Sequence, residues 1–150
     1  MPAPVVIFAN MAKQNIPQGM RLNFSRPDAK TILLVADQPV ARSTLKRNLE
    51  YYKFDVKDAA SAVEALKLYR DEHWDIGLVM LDLTRPELPL AKALQVLYSI
   101  DEQVKVVVCA ETEPGPEQTG GHALADVLRK PVRVDRLLSV VNKILNADPE

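Results

Sequence analysis

The chain has one cysteine, five glycines and few aromatic residues, and its charges nearly cancel. The lone Cys109 cannot form an internal disulfide or a thiolate metal cluster, which is typical of a protein from a reducing compartment. A net charge of −1 gives no electrostatic footprint for nucleic acid or for an anionic membrane surface. The longest apolar stretches are far too short to span a bilayer, and no secretory signal is recognisable. We therefore expect a cytoplasmic protein with neither nucleic acid nor membrane as a partner.

Phosphate-binding glycine motifs are also missing. Neither G-x-G-x-x-G nor G-x-x-x-x-G-K-[ST] occurs, and the pair Gly120-Gly121 follows no predicted strand. These absences argue against a dinucleotide-binding or P-loop enzyme. The hypothesis that the chain is a flavodoxin-like enzyme or cofactor binder would rest on analogy of fold alone.

The length of 150 residues, with 47% apolar and 26% charged residues, is that of one ordinary globular domain. Residues 1–29 contain four of the eleven prolines and keep no helical or strand period, which predicts a poorly structured or loosely packed extension. We expect the folded domain at residues 30–147 and a short tail at residues 148–150.

Apolar runs alternate with amphipathic segments from residue 30 onward. Strands are predicted at Thr31–Ala36, Phe54–Lys57, Ile76–Leu83, Val104–Ala110 and Val127–Arg129. Helices are predicted from Pro39 to about Tyr51, from the capping-box pair Ser61 and Glu64 to about Arg70, from Pro89, and over Val134–Leu145. The proline- and glycine-rich segment Glu111–His122 leaves room only for an irregular or shortened helix. The alternation predicts an α/β fold with a parallel sheet and helices on both faces.

Charged residues follow three of the predicted strands. Because function gathers at the carboxyl ends of the strands in such a sheet, we expect Asp37, Asp82 and Lys130 to converge on one crevice. There, one carboxylate can act as a nucleophile, a second can help to hold Mg²⁺, and a lysine can neutralise phosphoryl oxygens. Each residue alone would more often be a helix cap, a turn residue or a solvated charge. Their combination indicates phosphoryl transfer.

Asp37, Asp82 and Lys130 lie in the pieces Val35–Gln38, Leu81–Pro86 and Arg129–Pro131, and a fourth piece, Val108–Glu111, covers the end of the predicted fourth strand. In their order and spacing the chain resembles the receiver domains of two-component response regulators, over about Thr31–Leu145. The resemblance implies a flavodoxin-like, doubly wound sheet of five strands in the order 2-1-3-4-5. It implies a signalling module, not an enzyme, that takes phosphate from a histidine kinase or phosphotransfer protein and acts on an output protein by contact.

The resemblance also assigns roles to individual residues. Asp82 would be the phosphoacceptor, and Lys130 would contact the phosphoryl group. Mg²⁺ would be bound by Asp37, Asp82 and the backbone carbonyl of Thr84. Ala36 stands where receivers usually have an acidic residue, so we expect the metal site to be weakened and not abolished.

Two positions associated with the family's conformational switch are also unusual. Cys109 stands in place of a threonine or serine, and a thiol is a weak hydrogen-bond donor. Val127 stands in place of an aromatic residue and has no ring to move. With Ala36, these residues favour an alternative, a pseudo-receiver that acts as a phosphorylation-independent interaction module. The alternative stays open from the sequence.

The remaining chemically notable residues are expected to be structural. His73 and His122 lack the neighbouring ligands of a metal site, and we expect both to be exposed to solvent. Trp74 is expected to pack at the edge of the core. Cys109 is expected to be a buried small apolar residue, because no base or helix N-terminus is predicted beside it.

Overall fold

The computed structural model describes residues 29–84 and 88–146. Its parallel strands form one sheet in the order β2-β1-β3-β4-β5. The strands are β1 (Thr31–Ala36), β2 (Val56–Ala59), β3 (Ile76–Asp82), β4 (Val106–Ala110) and β5 (Asp126–Arg129). The helices within these ranges are α1 (Pro39–Tyr51), α2 (Ala62–Glu72), α3 (Leu90–Ile100), α4 (Pro116–Thr119) and α5 (Val134–Leu145). This architecture confirms the predicted fold and strand order.

The element boundaries follow the sequence pattern most closely where the pattern is strongest. β1, α1 and α5 have the predicted bounds, and α4 is the shortened helix expected between β4 and β5. β2 begins at Val56 and not at Phe54, because this half-exposed edge strand carries little apolar signal. The predicted extension and tail lie outside the described residues, apart from Ala29, so both stay predictions.

Two apolar layers enclose the sheet. One face packs against α1 and α5 through residues such as Leu49 and Val141. The other packs against α2 and α3 through residues such as Tyr69 and Leu94. The central strand β1 is covered on both sides, which explains its continuous apolar sequence. Each described helix is too short or too polar to cross a membrane.

Half of the capping box predicted from Ser61 and Glu64 is present at the start of α2, where Ser61 is the N-cap residue. The Ser61 hydroxyl accepts a hydrogen bond from the Glu64 N–H at 3.2 Å. The Glu64 carboxylate in turn accepts one from the N–H of Ala60 at 3.0 Å. The first bond satisfies a donor that the first turn leaves without a helical partner, and the second ties the residue before the N-cap to the helix.

Gly77 in β3 permits a close approach between the start of the domain and the end of α5. A Cβ atom at this position would lie 2.3 Å from the Ala29 carbonyl oxygen and 2.8 Å from Cδ2 of Leu145. We expect Gly77→Ala to lower the free energy of unfolding by about 1–3 kcal/mol, since overpacking forces the backbone to move. Gly115→Ala is the matched control, because a Cβ there meets nothing within 4 Å. Urea denaturation of both variants checks this, and equal losses would contradict it.

Candidate functional site

Two aspartates, Asp37 and Asp82, lie on neighbouring backbone segments at the carboxyl edge of the sheet. β1 and β3 are adjacent parallel strands, and Ala36 pairs with Asp82 in their register. The N–H of Asp37 lies 3.4 Å from the Asp82 carbonyl oxygen and donates a hydrogen bond to it. Because the two strands end together, Asp37 and Asp82 lie at the same edge of the sheet.

The Asp82 side chain is buried and forms an ion pair with Lys130. Asp82 is 4% exposed, and Nζ of Lys130 lies 2.6 Å from its Oδ1. The contact is an ion pair without the alignment of a hydrogen bond. Lys130 follows β5, and its backbone N–H donates to the Ala110 carbonyl oxygen at the end of β4. Burial of an uncompensated carboxylate is costly, so the lysine accounts for the stable burial of Asp82.

Thr84, just after β3, binds the Asp37 carboxylate with both its backbone and its side chain. The Thr84 N–H lies 2.9 Å from Oδ2 and 3.1 Å from Oδ1 of Asp37. The Thr84 hydroxyl donates to Oδ1 at 3.0 Å, and it accepts a bond from the Gln38 side-chain amide at 3.2 Å. The sequence led us to expect only the backbone carbonyl of Thr84 at the site, as a Mg²⁺ ligand. It did not predict the bonds from the Thr84 N–H and hydroxyl to Asp37, or any role for Gln38.

The residue that replaces the expected acid, Ala36, is contacted by a cation from α1. The Arg42 guanidinium donates to the Ala36 carbonyl oxygen at 2.8 Å, and its Nε lies 3.5 Å from the Asp58 carboxylate. Sequence reasoning missed Arg42. Its position in the first turn of α1 was the available signal, because helical side chains lean back towards the helix N-terminus.

Cys109 lies on β4, close enough to Asp82 and Lys130 for their charges to act on its thiol. Burial raises the pKa of Cys109 to about 12, and the charge of Asp82 adds to this rise while Lys130 opposes it. The residue is 3% exposed, which confirms the predicted small buried residue. Val127 lies on β5, is half-buried, and pairs with Val108.

We expect the Cys109 thiol to be inert in the folded protein. At pH 8 a thiol reagent should modify it only as fast as the protein unfolds, because the reactive thiolate is suppressed. The pKa of Cys109 is higher in the folded protein than in the unfolded chain. The buried thiol therefore makes its full contribution to stability below about pH 9, and this contribution is lost as the pH rises towards 12. Modification rates with and without guanidinium check the first point. The pH dependence of unfolding in wild type and Cys109→Ala checks the second. Rapid modification of Cys109 in the native protein would contradict the first.

The prediction that His73 is exposed is wrong. Its side chain is 7% exposed, and its ring centroid lies 5.7 Å from that of Tyr69 and 5.0 Å from that of Trp74. Tyr69 lies one helical turn before His73, so the two rings share a face and cover each other. The cluster precedes β3, at the opposite edge of the sheet from Asp82. Trp74 is half-buried there, as expected of a core-edge residue.

His122 is half-buried, so its predicted exposure is also wrong. Its ring stacks on Tyr98 of α3, with centroids 5.2 Å apart and an interplanar angle of 14°. The Tyr98 hydroxyl donates to the Ala123 carbonyl oxygen at 2.7 Å, and burial raises the pKa of Tyr98. This contact ties the segment after α4 to α3, away from the carboxylates.

Residues 32–142 match the model of the response regulator receiver domain. The chain belongs to this family. The receiver domain is 31% identical over 123 residues to the chemotaxis protein CheY of Bacillus subtilis, which covers 79% of this chain and 99% of that protein. It is 29% identical over 124 residues to CheY of Halobacterium salinarum, with 79% and 99% coverage.

Solved structures share the fold of this receiver domain. The receiver domain of a sensor histidine kinase from Pseudomonas aeruginosa, described with a magnesium ion in its active-site cleft, superposes with a TM-score of 0.70. The two are 19% identical and the match covers 79% of this chain and 99% of that one. A receiver domain protein from Clostridium thermocellum gives a TM-score of 0.68 at 23% identity, with 78% and 94% coverage. The chain is thus a receiver module of the two-component class, a family of signalling domains for which phosphoryl acceptance is typical.

Proposed function

We propose that this receiver domain takes a phosphoryl group on Asp82 and that Lys130 contacts that group. The observation that carries the proposal is the buried Asp82 carboxylate beside the Lys130 ammonium, at the sheet edge that also holds Asp37. A nucleophile, a cation and a second carboxylate within one crevice are the parts that phosphoryl transfer needs.

The chemistry follows from these three side chains. An Asp82 carboxylate oxygen forms a new bond to phosphorus as the bond from phosphorus to the donor breaks, and the leaving group takes its proton from solvent or from the donor protein. Negative charge accumulates on the phosphoryl oxygens during transfer. The Lys130 ammonium, held 2.6 Å from Asp82, lies where it can neutralise that charge.

The donor set fits a weakly held Mg²⁺. Asp37 and Asp82 would supply carboxylate oxygens and Thr84 its main-chain carbonyl oxygen, while Mg²⁺ is usually held in proteins by one or two carboxylates with several waters. Over the ranges that the structure describes, no group of three or more His, Cys, Asp or Glu residues could hold a metal. This agrees with the loss of an acid at Ala36. When bound, the cation would shield the charges of the carboxylates and the incoming phosphoryl group.

The two switch positions bear on the readout of the phosphorylated state and not on its formation. The Cys109 thiol is buried and is a weak hydrogen-bond donor, so it offers a phosphoryl oxygen little attraction. Val127 has no ring that could exchange between buried and exposed positions. We therefore propose that the phosphorylated state is not read out through these two residues.

The partners follow from the same proposal. A histidine kinase or phosphotransfer protein would supply the phosphate, and an unidentified output protein would read the result by contact. We also propose that the receiver domain spans residues 30–147 and that the protein is cytoplasmic.

One experiment separates the acceptor from a pseudo-receiver. The whole chain is incubated with acetyl phosphate and Mg²⁺, and its intact mass is followed with time, with a parallel sample in EDTA. We expect the gain of one phosphoryl group that is lost on brief treatment with base and strongly reduced by EDTA. A complete absence of this adduct at millimolar Mg²⁺ would favour the phosphorylation-independent interaction module.

A further inference from the structure

Thr84 occupies the acceptor sites of Asp37 that a cation would need. Its N–H contacts both carboxylate oxygens and its hydroxyl contacts Oδ1, at distances from 2.9 to 3.1 Å. A carboxylate offers about four lone-pair positions, so the one threonine uses most of them. A donor hydrogen cannot share a lone pair with a metal ion, so Thr84 and a cation compete for the positions that Thr84 occupies.

The direction of each bond in this cluster is fixed by chemistry. The Asp37 carboxylate can only accept, so the Thr84 hydroxyl must donate its single hydrogen to Asp37. The hydroxyl oxygen is then left as an acceptor, and the Gln38 side-chain amide donates to it at 3.2 Å. Gln38 thereby holds the hydroxyl in the orientation that closes on Asp37. Gln38 and Thr84 are exposed, so the cluster can open without disturbing the core.

We propose that Asp37, Thr84 and Gln38 form a latch that competes with Mg²⁺ for the receiver site. The proposal rests on the proposed function in taking Asp37 as a metal ligand. A cation that binds at the occupied positions displaces the Thr84 donors from Asp37. Apparent metal affinity is therefore set by the latch as well as by the lost acid at Ala36, and metal occupancy is coupled to the position of Thr84.

The test measures metal binding and needs no phosphate. Thr84→Val removes the hydroxyl donor and keeps the β-branched shape and the backbone N–H. Titration of the whole chain with MgCl₂ by calorimetry should give a dissociation constant about fivefold lower than that of wild type, the change expected when one competing hydrogen bond is removed. In wild type, the Thr84 amide signal in NMR spectra should shift as Mg²⁺ saturates the site.

Three variants serve as controls. Thr84→Ser keeps the hydroxyl and should bind Mg²⁺ as wild type does. Gln38→Met removes the supporting donor and should tighten binding by a smaller factor than Thr84→Val. Thr44→Val makes the same chemical change at an exposed position within α1 and should leave the affinity unchanged.

The outcomes separate the latch from the function on which it rests. Tighter binding by Thr84→Val, including binding that is measurable only in that variant, supports the latch. Equal or weaker binding by Thr84→Val, or no binding by either protein, overturns it. Phosphorylation of the wild-type chain by acetyl phosphate is measured on the same preparation, so the acceptor role can stand when the latch fails.

Discussion

The variant Asp82→Asn is expected to acquire no phosphoryl group under conditions that phosphorylate the wild-type chain. An amide oxygen is a far weaker nucleophile than a carboxylate oxygen, and the Asp82 carboxylate is the one that lies against Lys130. We expect a fall in the rate of adduct formation of at least about 100-fold. Intact mass after incubation with acetyl phosphate and Mg²⁺ measures this directly.

The matched control for this variant is Asp126→Asn on β5. Asp126 is also a partly buried aspartate in ion pairs, with Arg136 and Lys143. Burial works to raise its pKa, but the Val127 N–H and these two cations lower the pKa overall. We expect Asp126→Asn to be phosphorylated as fast as wild type. Phosphorylation of Asp82→Asn at the wild-type rate would show that the acceptor is another residue.

Replacing Lys130 with methionine is expected to affect both stability and phosphorylation. Methionine keeps the length of the side chain but leaves the buried Asp82 carboxylate without its cation. Removal of one partner from a buried ion pair costs about 3 kcal/mol of folding free energy. We also expect phosphorylation to slow by about 100-fold, because the charge that stabilises the phosphoryl oxygens is lost. Urea denaturation and intact-mass kinetics give the two values.

A double variant distinguishes the ion pair from general damage to the fold. In Asp82→Asn/Lys130→Met no charge is buried, so most of the stability lost in Lys130→Met should return. Lys143→Met, which removes an exposed lysine from α5, should change stability by less than about 1 kcal/mol. A double variant as unstable as Lys130→Met would mean that the lysine stabilises the protein by contacts other than its pair with Asp82.

The fold was largely predictable because its strongest signals are local and periodic. β1 is buried on both faces and therefore reads as an unbroken apolar run. α5 carries a regular apolar stripe, and the proline at the start of α1 marks where that helix begins. β2 was placed too early because an edge strand buries few side chains and its polar residues resemble a turn.

The positions of the side chains at the site were easier to predict from the sequence than their hydrogen-bond partners. Parallel strands that end together bring Asp37 and Asp82 to one edge whatever their side chains do, so topology sufficed. The hydrogen bonds from Thr84 and Gln38 to each other and to Asp37 depend on rotamers and on the course of the loop, which no periodicity encodes. The burial of His73 was missed although Tyr69 lies one helical turn before it and shares its face, a spacing that could have indicated the contact.

The most direct test of the account is chemical identification of the residue that carries the phosphate. The chain is phosphorylated with acetyl phosphate, reduced with borohydride, which converts an acyl phosphate of aspartate to homoserine, and digested for peptide mass analysis. The account predicts homoserine at position 82 and unchanged aspartate at position 37. Homoserine at any other position, or a phosphoryl group on a residue that borohydride does not reduce, would contradict the assignment of Asp82 as the phosphoacceptor.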